Sequence, residues 1–131
     1  MKSFLVKVVC FVMLFSFALS ANSKELVREF KGTGNKSTAD FEVRAPWIVD
    51  WRVMGDYPGQ MAVQVNLLSV PSEEYLGKVA LTKYVDNGVR LFHESGRYRF
   101  QVNSSLANWT LRVEQLTRQE AEQYTVKEGL R

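Results

Sequence analysis

Apolar and polar residues alternate along most of the chain with a period of two, the pattern of β-strands with one buried and one solvated face. In residues 47–53, Trp47, Val49, Trp51 and Val53 fall on the same side of a strand. The same alternation occurs in four other segments, which are residues 40–44, 61–67, 98–102 and 109–113. Turn-forming residues separate these segments. The pattern predicts an all-β fold, an antiparallel two-layer β-sandwich of seven or eight strands.

Two local motifs refine this prediction. Asn87-Gly88 follows Asp86, and Asn-Gly accepts the positive φ values of a tight turn, so it predicts a hairpin joining residues 83–85 to residues 89–92. Thr117 and Glu120 have the spacing of a capping box and predict a short C-terminal helix. The three tryptophans alternate in phase with aliphatic residues, which favours burial in the core over stacking on a sugar.

The first 21 residues differ in composition from the rest. A basic start is followed by an apolar run 12 residues long, 8–19, and then by small residues at Ser20 and Ala21. A membrane-spanning helix needs about 20 apolar residues, so the pattern predicts a signal peptide over residues 1–21, cleaved after Ser20 or Ala21. A single domain follows over residues 22–131. We expect an exported protein, periplasmic or extracellular, without a membrane span after cleavage; an uncleaved anchor is the less favoured alternative.

Charge and cysteine content exclude several functions. The net charge of +3 includes two leader lysines, so the remaining chain has 15 basic and 14 acidic side chains. A nearly neutral chain is a poor match for nucleic acid, which is bound through clustered cations. The single cysteine, Cys10, lies in the leader, so the mature part has no disulfide, catalytic thiol or cysteine-ligated metal. We expect no cofactor and no metal. The oligomeric state is not set by the sequence.

Candidate catalytic residues are few. The chain has one histidine, His93, followed by Glu94 at the end of a predicted strand. These two residues form a conceivable acid/base pair, but a solvated histidine at a strand end is the favoured interpretation. Asp50 and Asp56 are carboxylates whose separation the sequence does not determine. No nucleophile elbow or zinc-binding histidine pair occurs, so we do not expect an enzyme.

Two surface features are candidates for binding. The arginines Arg97, Arg99 and Arg112 occupy outward positions on predicted strands and form a candidate stripe for an acidic partner. A solvated sheet face with nearby acids is the alternative. Tyr57 precedes Pro58 within a loop and is the aromatic residue we most expect to be exposed.

The chain also resembles small exported bacterial β-sandwich domains of the CUB-like or pre-peptidase C-terminal-like type. The resemblance involves core and turn positions spread over most of the mature chain: Gly32-x-Gly34, Thr38, Phe41-x-Val43, Pro46-Trp47-Ile48-x-x-Trp51, Ser95-Gly96-x-Tyr98-x-Phe100-x-Val102 and Trp109-x-Leu111-x-Val113. It implies a sandwich fold and export, and assigns almost no activity.

A second resemblance concerns Ser95, Gly96, Arg97 and Tyr98. This string is similar to the Ser-Gly-x-Tyr loop of periplasmic inhibitors of invertebrate-type and goose-type lysozymes. In those families the loop enters the lysozyme cleft, which implies that Ser95 and Tyr98 contact the enzyme here. The sequence therefore predicts a non-catalytic exported protein that binds a protein, glycan or cell-wall partner. The alternative is a lysozyme inhibitor acting through this loop.

Overall fold

The computed structural model describes residues 24–129, and the predicted signal peptide, residues 1–21, lies outside them. The described range contains nine strands and one helix: β1 (Glu25–Thr33), β2 (Lys36–Ser37), β3 (Phe41–Val43), β4 (Trp47–Met54), β5 (Ala62–Ser69), β6 (Tyr75–Thr82), β7 (Asp86–Phe92), β8 (Gly96–Ser105), β9 (Asn108–Gln115) and α1 (Arg118–Gly129). The predicted all-β sandwich with a C-terminal helix is confirmed. Nine strands replace the expected seven or eight, since the two-residue β2 is too short to show alternation.

The strands form two antiparallel sheets. The four-stranded sheet has the order β1-β9-β4-β7, and the five-stranded sheet has the order β2-β8-β5-β6, with β3 also paired to β8. Consecutive strands often lie in different sheets. For example, only Leu106 and Ala107 separate β8 from β9, but β8 belongs to the five-stranded sheet and β9 pairs with β1 and β4 of the four-stranded sheet. The chain therefore crosses between the layers at the ends of the sandwich.

The core fills the space between the inner faces of the two sheets. The alternating positions recognised in the sequence supply it, and its largest completely buried side chains are Trp47, Trp109, Phe100, Met61 and Leu111. Burial of this apolar surface is the main term that favours folding. Four aromatic rings pack at one end of the core; the ring of Phe41 lies 5.8 Å from Trp47, 6.1 Å from Tyr98 and 5.0 Å from Phe100 between centroids.

Helix α1 covers part of the outer face of the four-stranded sheet. Ile48 and Leu91 point outward there and form a second apolar cluster with Leu116 and Ala121. The predicted capping box is present, since the Glu120 N–H donates to Thr117 Oγ1 at 3.2 Å and the Thr117 N–H donates to Glu120 Oε1 at 3.0 Å. Within residues 24–129, no helix has the length and apolar character needed to cross a membrane.

The hairpin predicted at residues 86–88 is wrong. These residues begin β7 and pair with residues 51–53 of β4, while the chain crosses from one sheet to the other at residues 83–85. Gly88 has a packing role: a Cβ on Gly88 would lie 2.6 Å from Cζ2 of Trp51. Such contacts do not occur between real atoms, so the glycine makes room for the indole ring.

Candidate functional site

Three chain segments meet at the end of the sandwich where β4 and β8 finish. They are the loop of residues 55–61, the crossing at residues 83–85, and the turn at residues 106–107. The Gly59 N–H donates to the Lys83 carbonyl at 2.9 Å, and the Met61 N–H donates to the Tyr57 carbonyl at 3.0 Å. The side chain of Met61 is 1% exposed and anchors the first loop in the core. These contacts hold the loops in a defined arrangement.

Large apolar side chains are exposed on these segments and at Met54, the last residue of β4. The exposed fractions are 59% for Met54, 53% for Tyr57, 59% for Tyr84, 52% for Val85 and 57% for Leu106. Ten large hydrophobic side chains are exposed among the described residues, and these five make up half of them. We call this set the apolar end. Contiguous exposed apolar surface on a monomer is a common mark of a binding site.

The chain segments that carry the apolar end lie next to one another. A Cβ on Gly59 would lie 3.9 Å from Cε1 of Tyr84, so the ring of Tyr84 packs beside the loop that carries Tyr57. A Cβ on Gly55 would lie 3.1 Å from the Leu106 carbonyl oxygen, which places the third segment against the first. Met54 and Val85 line one shallow depression on the outer face of the four-stranded sheet.

The sequence identified one of these five residues. Tyr57 was expected to be exposed because it lies in a Tyr-Pro-Gly loop, and it is. Tyr84 was missed because the predicted hairpin placed it inside a strand, residues 83–85. Leu106 was missed because a single leucine carries no signal of exposure; its φ of 60° is a conformation that leucine seldom adopts.

The motif of residues 95–98 lies at the opposite end of the sandwich, where β8 begins. Ser95 Oγ accepts the Ala45 N–H at 2.7 Å. Tyr98 is 6% exposed, and its hydroxyl donates to the Glu94 carbonyl at 2.9 Å. Burial, and then the negative charge of Glu94, raises the pKa of Tyr98 above its usual value. Gly96 packs beside the Tyr98 ring, which a Cβ would approach to 3.2 Å at Cζ.

The hydroxyl groups of this motif are therefore used within the fold. Ser95, Gly96 and Arg97 remain at the surface, but the side chain of Tyr98 has little surface to offer a partner. A lysozyme cleft would therefore contact Ser95, Gly96 and Arg97. The resemblance, in contrast, implies contact through Tyr98. Inhibition of lysozyme stays a prediction.

The candidate arginines Arg97, Arg99 and Arg112 do not form one stripe. Arg97 and Arg99 lie on β8, in the five-stranded sheet, whereas Arg112 lies on β9, in the four-stranded sheet. Their side chains point away from the core, and so they occupy opposite faces of the molecule. Each has an acidic neighbour: Arg97 with Asp40 at 3.9 Å, Arg99 with Glu73 at 2.7 Å, and Arg112 with Glu29 at 3.7 Å and Glu114 at 3.4 Å. These pairs match the solvated-face alternative.

The candidate catalytic residues form no assembled site in the described chain. His93 and Glu94 are exposed, and the Glu94 carbonyl accepts hydrogen bonds from Trp47 Nε1 and the Tyr98 hydroxyl. Asp50 lies on β4 and has Arg52 as a neighbour at 3.8 Å, while Asp56 lies in the following loop. Between residues 24 and 129, no three His, Cys, Asp or Glu side chains come together as a metal site.

Comparison with known proteins shows a likeness to a solved structure and no match to a family. No protein-family model matches the chain, and no curated protein matches it. Among solved structures, a carbohydrate-binding module from lichenase 5A of Cellvibrio mixtus, in complex with cellotriose, is similar over 72% of this chain and 86% of that chain. The sequence identity is 12% and the TM-score is 0.38. At this level, positions in the two chains cannot be equated.

Proposed function

We propose that the chain is a non-catalytic, exported binding protein that holds a partner protein at its apolar end. The observation that carries the proposal is the concentration of exposed Met54, Tyr57, Tyr84, Val85 and Leu106 at one end of the sandwich. There the Gly59 N–H holds the first loop to the Lys83 carbonyl. Exposing this surface costs free energy that a partner recovers by burying it.

The side chains at the apolar end favour a protein over a glycan as the partner. Tyrosine and methionine are enriched at the centres of protein interfaces. The other two members are aliphatic and bring no hydrogen-bonding group to a sugar hydroxyl. Asp56, Gln60 and Lys83 are exposed around the set and supply the polar rim that such interfaces have.

Export rests on the leader pattern of residues 1–21. It predicts that the protein recovered from the periplasm or medium begins at Ala21 or Asn22. Sequencing of its N-terminus by mass spectrometry tests this directly. A chain that retains Met1 and stays in the membrane fraction would support the uncleaved anchor.

The partner site is tested by affinity capture with purified protein from Asn22 onward. The test variant is Tyr57→Ser combined with Tyr84→Ser. The control is Tyr75→Ser, because Tyr75 is 55% exposed but lies at the start of β6, towards the other end of the sandwich. Circular dichroism confirms that all three proteins are folded before capture.

We expect one protein to be bound by the native chain and by the Tyr75→Ser control, and to be lost from the double variant. Its affinity, measured by calorimetry with the purified partner, should fall at least about tenfold, since buried aromatic anchors dominate interface energies. Equal capture by all three proteins would show that the apolar end is not the binding site.

A further inference from the structure

Four amide side chains stand together on the outer face of the five-stranded sheet. Gln64 of β5 is directly opposite Asn103 of β8, and Asn66 is directly opposite Gln101. The residues between them, such as Val65 and Val102, face the core. We call this group the amide face. Asparagine is depleted in strands, so two asparagines and two glutamines in register on the central strands of a sheet call for an explanation.

The hydrogen-bonding capacity of these amides is largely unused. Each amide has two donor hydrogens and an acceptor oxygen. Gln64 Nε2 donates to Asn66 Oδ1 at 3.0 Å. In the part of the chain that the structure describes, the side-chain amides of Gln101 and Asn103 have no partner, and neither does Nδ2 of Asn66.

Asn66 is the unusual member, because it is only 6% exposed. Buried amide groups in proteins are normally satisfied. Turning the side chain over would exchange its oxygen and nitrogen, but would still leave one of them without a partner. Nδ2 of Asn66 reaches the outer surface of the sheet, where it can donate to a polar ligand.

The surroundings of the amide face limit the ligand. Arg99 is already engaged, by Glu73 at 2.7 Å and by Ser37 at 2.7 Å. On β6, Leu81 is opposite Gln64 and Tyr75 is opposite Leu68, so exposed apolar groups flank the amides at both ends. A strand rises about 3.3 Å per residue, so Gln64 to Leu68 spans about 13 Å. The face therefore has uncharged hydrogen-bonding groups along its centre and apolar platforms beside it.

We propose that the amide face binds a neutral oligosaccharide. A planar amide offers a donor and an acceptor side by side, which matches two neighbouring sugar hydroxyls. The Tyr75 ring provides an apolar surface for the carbon–hydrogen face of a sugar ring. This site is separate from the apolar end and does not depend on it.

Lys78 is the cation that must be considered, because it lies directly opposite Asn66 and is exposed. Among the described residues it has no ion-pair partner. It would favour an acidic sugar if charge dominated recognition. The four uncharged amides outnumber it at the centre of the face, and so a neutral ligand is expected there.

The probes are chitotetraose, cellotetraose and maltotetraose, with an acidic arm of oligogalacturonate of the same length. Binding to the protein from Asn22 onward is followed by calorimetry and by NMR of the side-chain amide groups. The main variant is Gln101→Ala combined with Asn103→Ala, because both side chains are exposed and make no hydrogen bond that the fold needs. The matched control is Asn87→Ala, an exposed strand amide of the other sheet.

We expect at least one neutral tetrasaccharide to bind and to shift the side-chain amide signals of Gln64, Asn66, Gln101 and Asn103. The double variant should bind it at least about tenfold more weakly, the loss expected for about 1.4 kcal/mol of hydrogen bonding. Asn87→Ala, and the Tyr57→Ser/Tyr84→Ser protein, should bind as the native chain does.

Three results would overturn the proposal. One is the absence of binding by the native chain to every neutral probe at millimolar concentration. Another is binding that survives in the double variant or disappears in the Tyr57→Ser/Tyr84→Ser protein. The last is binding confined to oligogalacturonate and lost in Lys78→Gln, which would assign recognition to charge. None of these results depends on the protein partner of the apolar end.

Discussion

The two ends of the sandwich contain similar residue types and use them in opposite ways. At the end that carries residues 95–98, Trp47 Nε1 and the Tyr98 hydroxyl both donate to the Glu94 carbonyl, each at 2.9 Å. At the apolar end, Tyr57 and Tyr84 are more than half exposed and their hydroxyls have no hydrogen-bond partner within residues 24–129. An aromatic side chain near an end of the sandwich is thus evidence of function only when the fold does not already use it.

The largest expected difference between the ends is in stability. Trp47 is completely buried, and its ring stacks on Phe92 at 4.3 Å. Trp47→Ala should lower the free energy of unfolding by about 3–5 kcal/mol, the usual cost of removing a core tryptophan. Urea denaturation followed by circular dichroism measures this.

The control for that measurement is Tyr57→Ala. A surface substitution changes stability by about 0.5 kcal/mol or less. A large loss in Tyr57→Ala would show that the apolar end supports the fold, and the contrast between the two ends would disappear.

A smaller effect is expected for Tyr98→Phe, which removes the hydrogen bond to the Glu94 carbonyl. The expected cost is about 1 kcal/mol, because that carbonyl keeps its bond from Trp47. Urea denaturation near neutral pH measures it. An unchanged stability would mean that the hydroxyl is not used by the fold and is available to a partner.

The same tyrosine makes stability depend on pH. Folding raises the pKa of Tyr98 above the ordinary value of 10.0. The stability that the neutral Tyr98 hydroxyl contributes is complete at a pH below its pKa in the unfolded chain. It is lost as the pH rises through its pKa in the folded chain. Between pH 9 and 11, the free energy of unfolding should therefore fall less steeply in Tyr98→Phe than in the native chain. Parallel profiles would contradict the raised pKa.

Ser95→Ala should have a still smaller effect. The Ser95 hydroxyl accepts the Ala45 N–H at 2.7 Å, but Ala45 is exposed and water can replace the bond. We expect a loss of about 0.5 kcal/mol in thermal or urea denaturation. If stability is unchanged, and the native chain inhibits a lysozyme that Ser95→Ala does not, the loop binds the enzyme and the lysozyme-inhibitor prediction is favoured.

The sequence predicted the core better than the surfaces. Alternation in β4, β5, β8 and β9 identified the buried side chains because the period of a strand fixes which residues share a face. It does not fix which sheet a strand joins. Arg99 and Arg112 both point outward, yet they lie on opposite faces because β8 and β9 belong to different layers.

The hairpin error has a related cause. Asn87-Gly88 has the composition of a tight turn, but the glycine is required by a partner distant in sequence, the indole ring of Trp51. The same is true of the amide face, which exists only because β5 and β8 pair in one register. Features made by pairing between distant segments are not visible in local patterns.

An effect of similar size but opposite sign is expected at Leu106. Its φ of 60° lies in the left-handed region, where asparagine is much more common than leucine. Leu106→Asn should raise the free energy of unfolding by about 0.5 kcal/mol, because the strain is relieved and an exposed apolar side chain is removed. Urea denaturation of the two proteins measures the gain.

Glu73 is the matched control, because it has a similar φ of 58° but a side chain that the fold uses. It pairs with Arg99 at 2.7 Å, so Glu73→Asn relieves the backbone and loses the ion pair, and no gain is expected. If Leu106→Asn stabilises the chain and also weakens capture of the partner protein, the leucine is kept for binding at a cost to the fold. A more stable variant with unchanged capture would remove Leu106 from the binding surface and leave Tyr57 and Tyr84 to account for it.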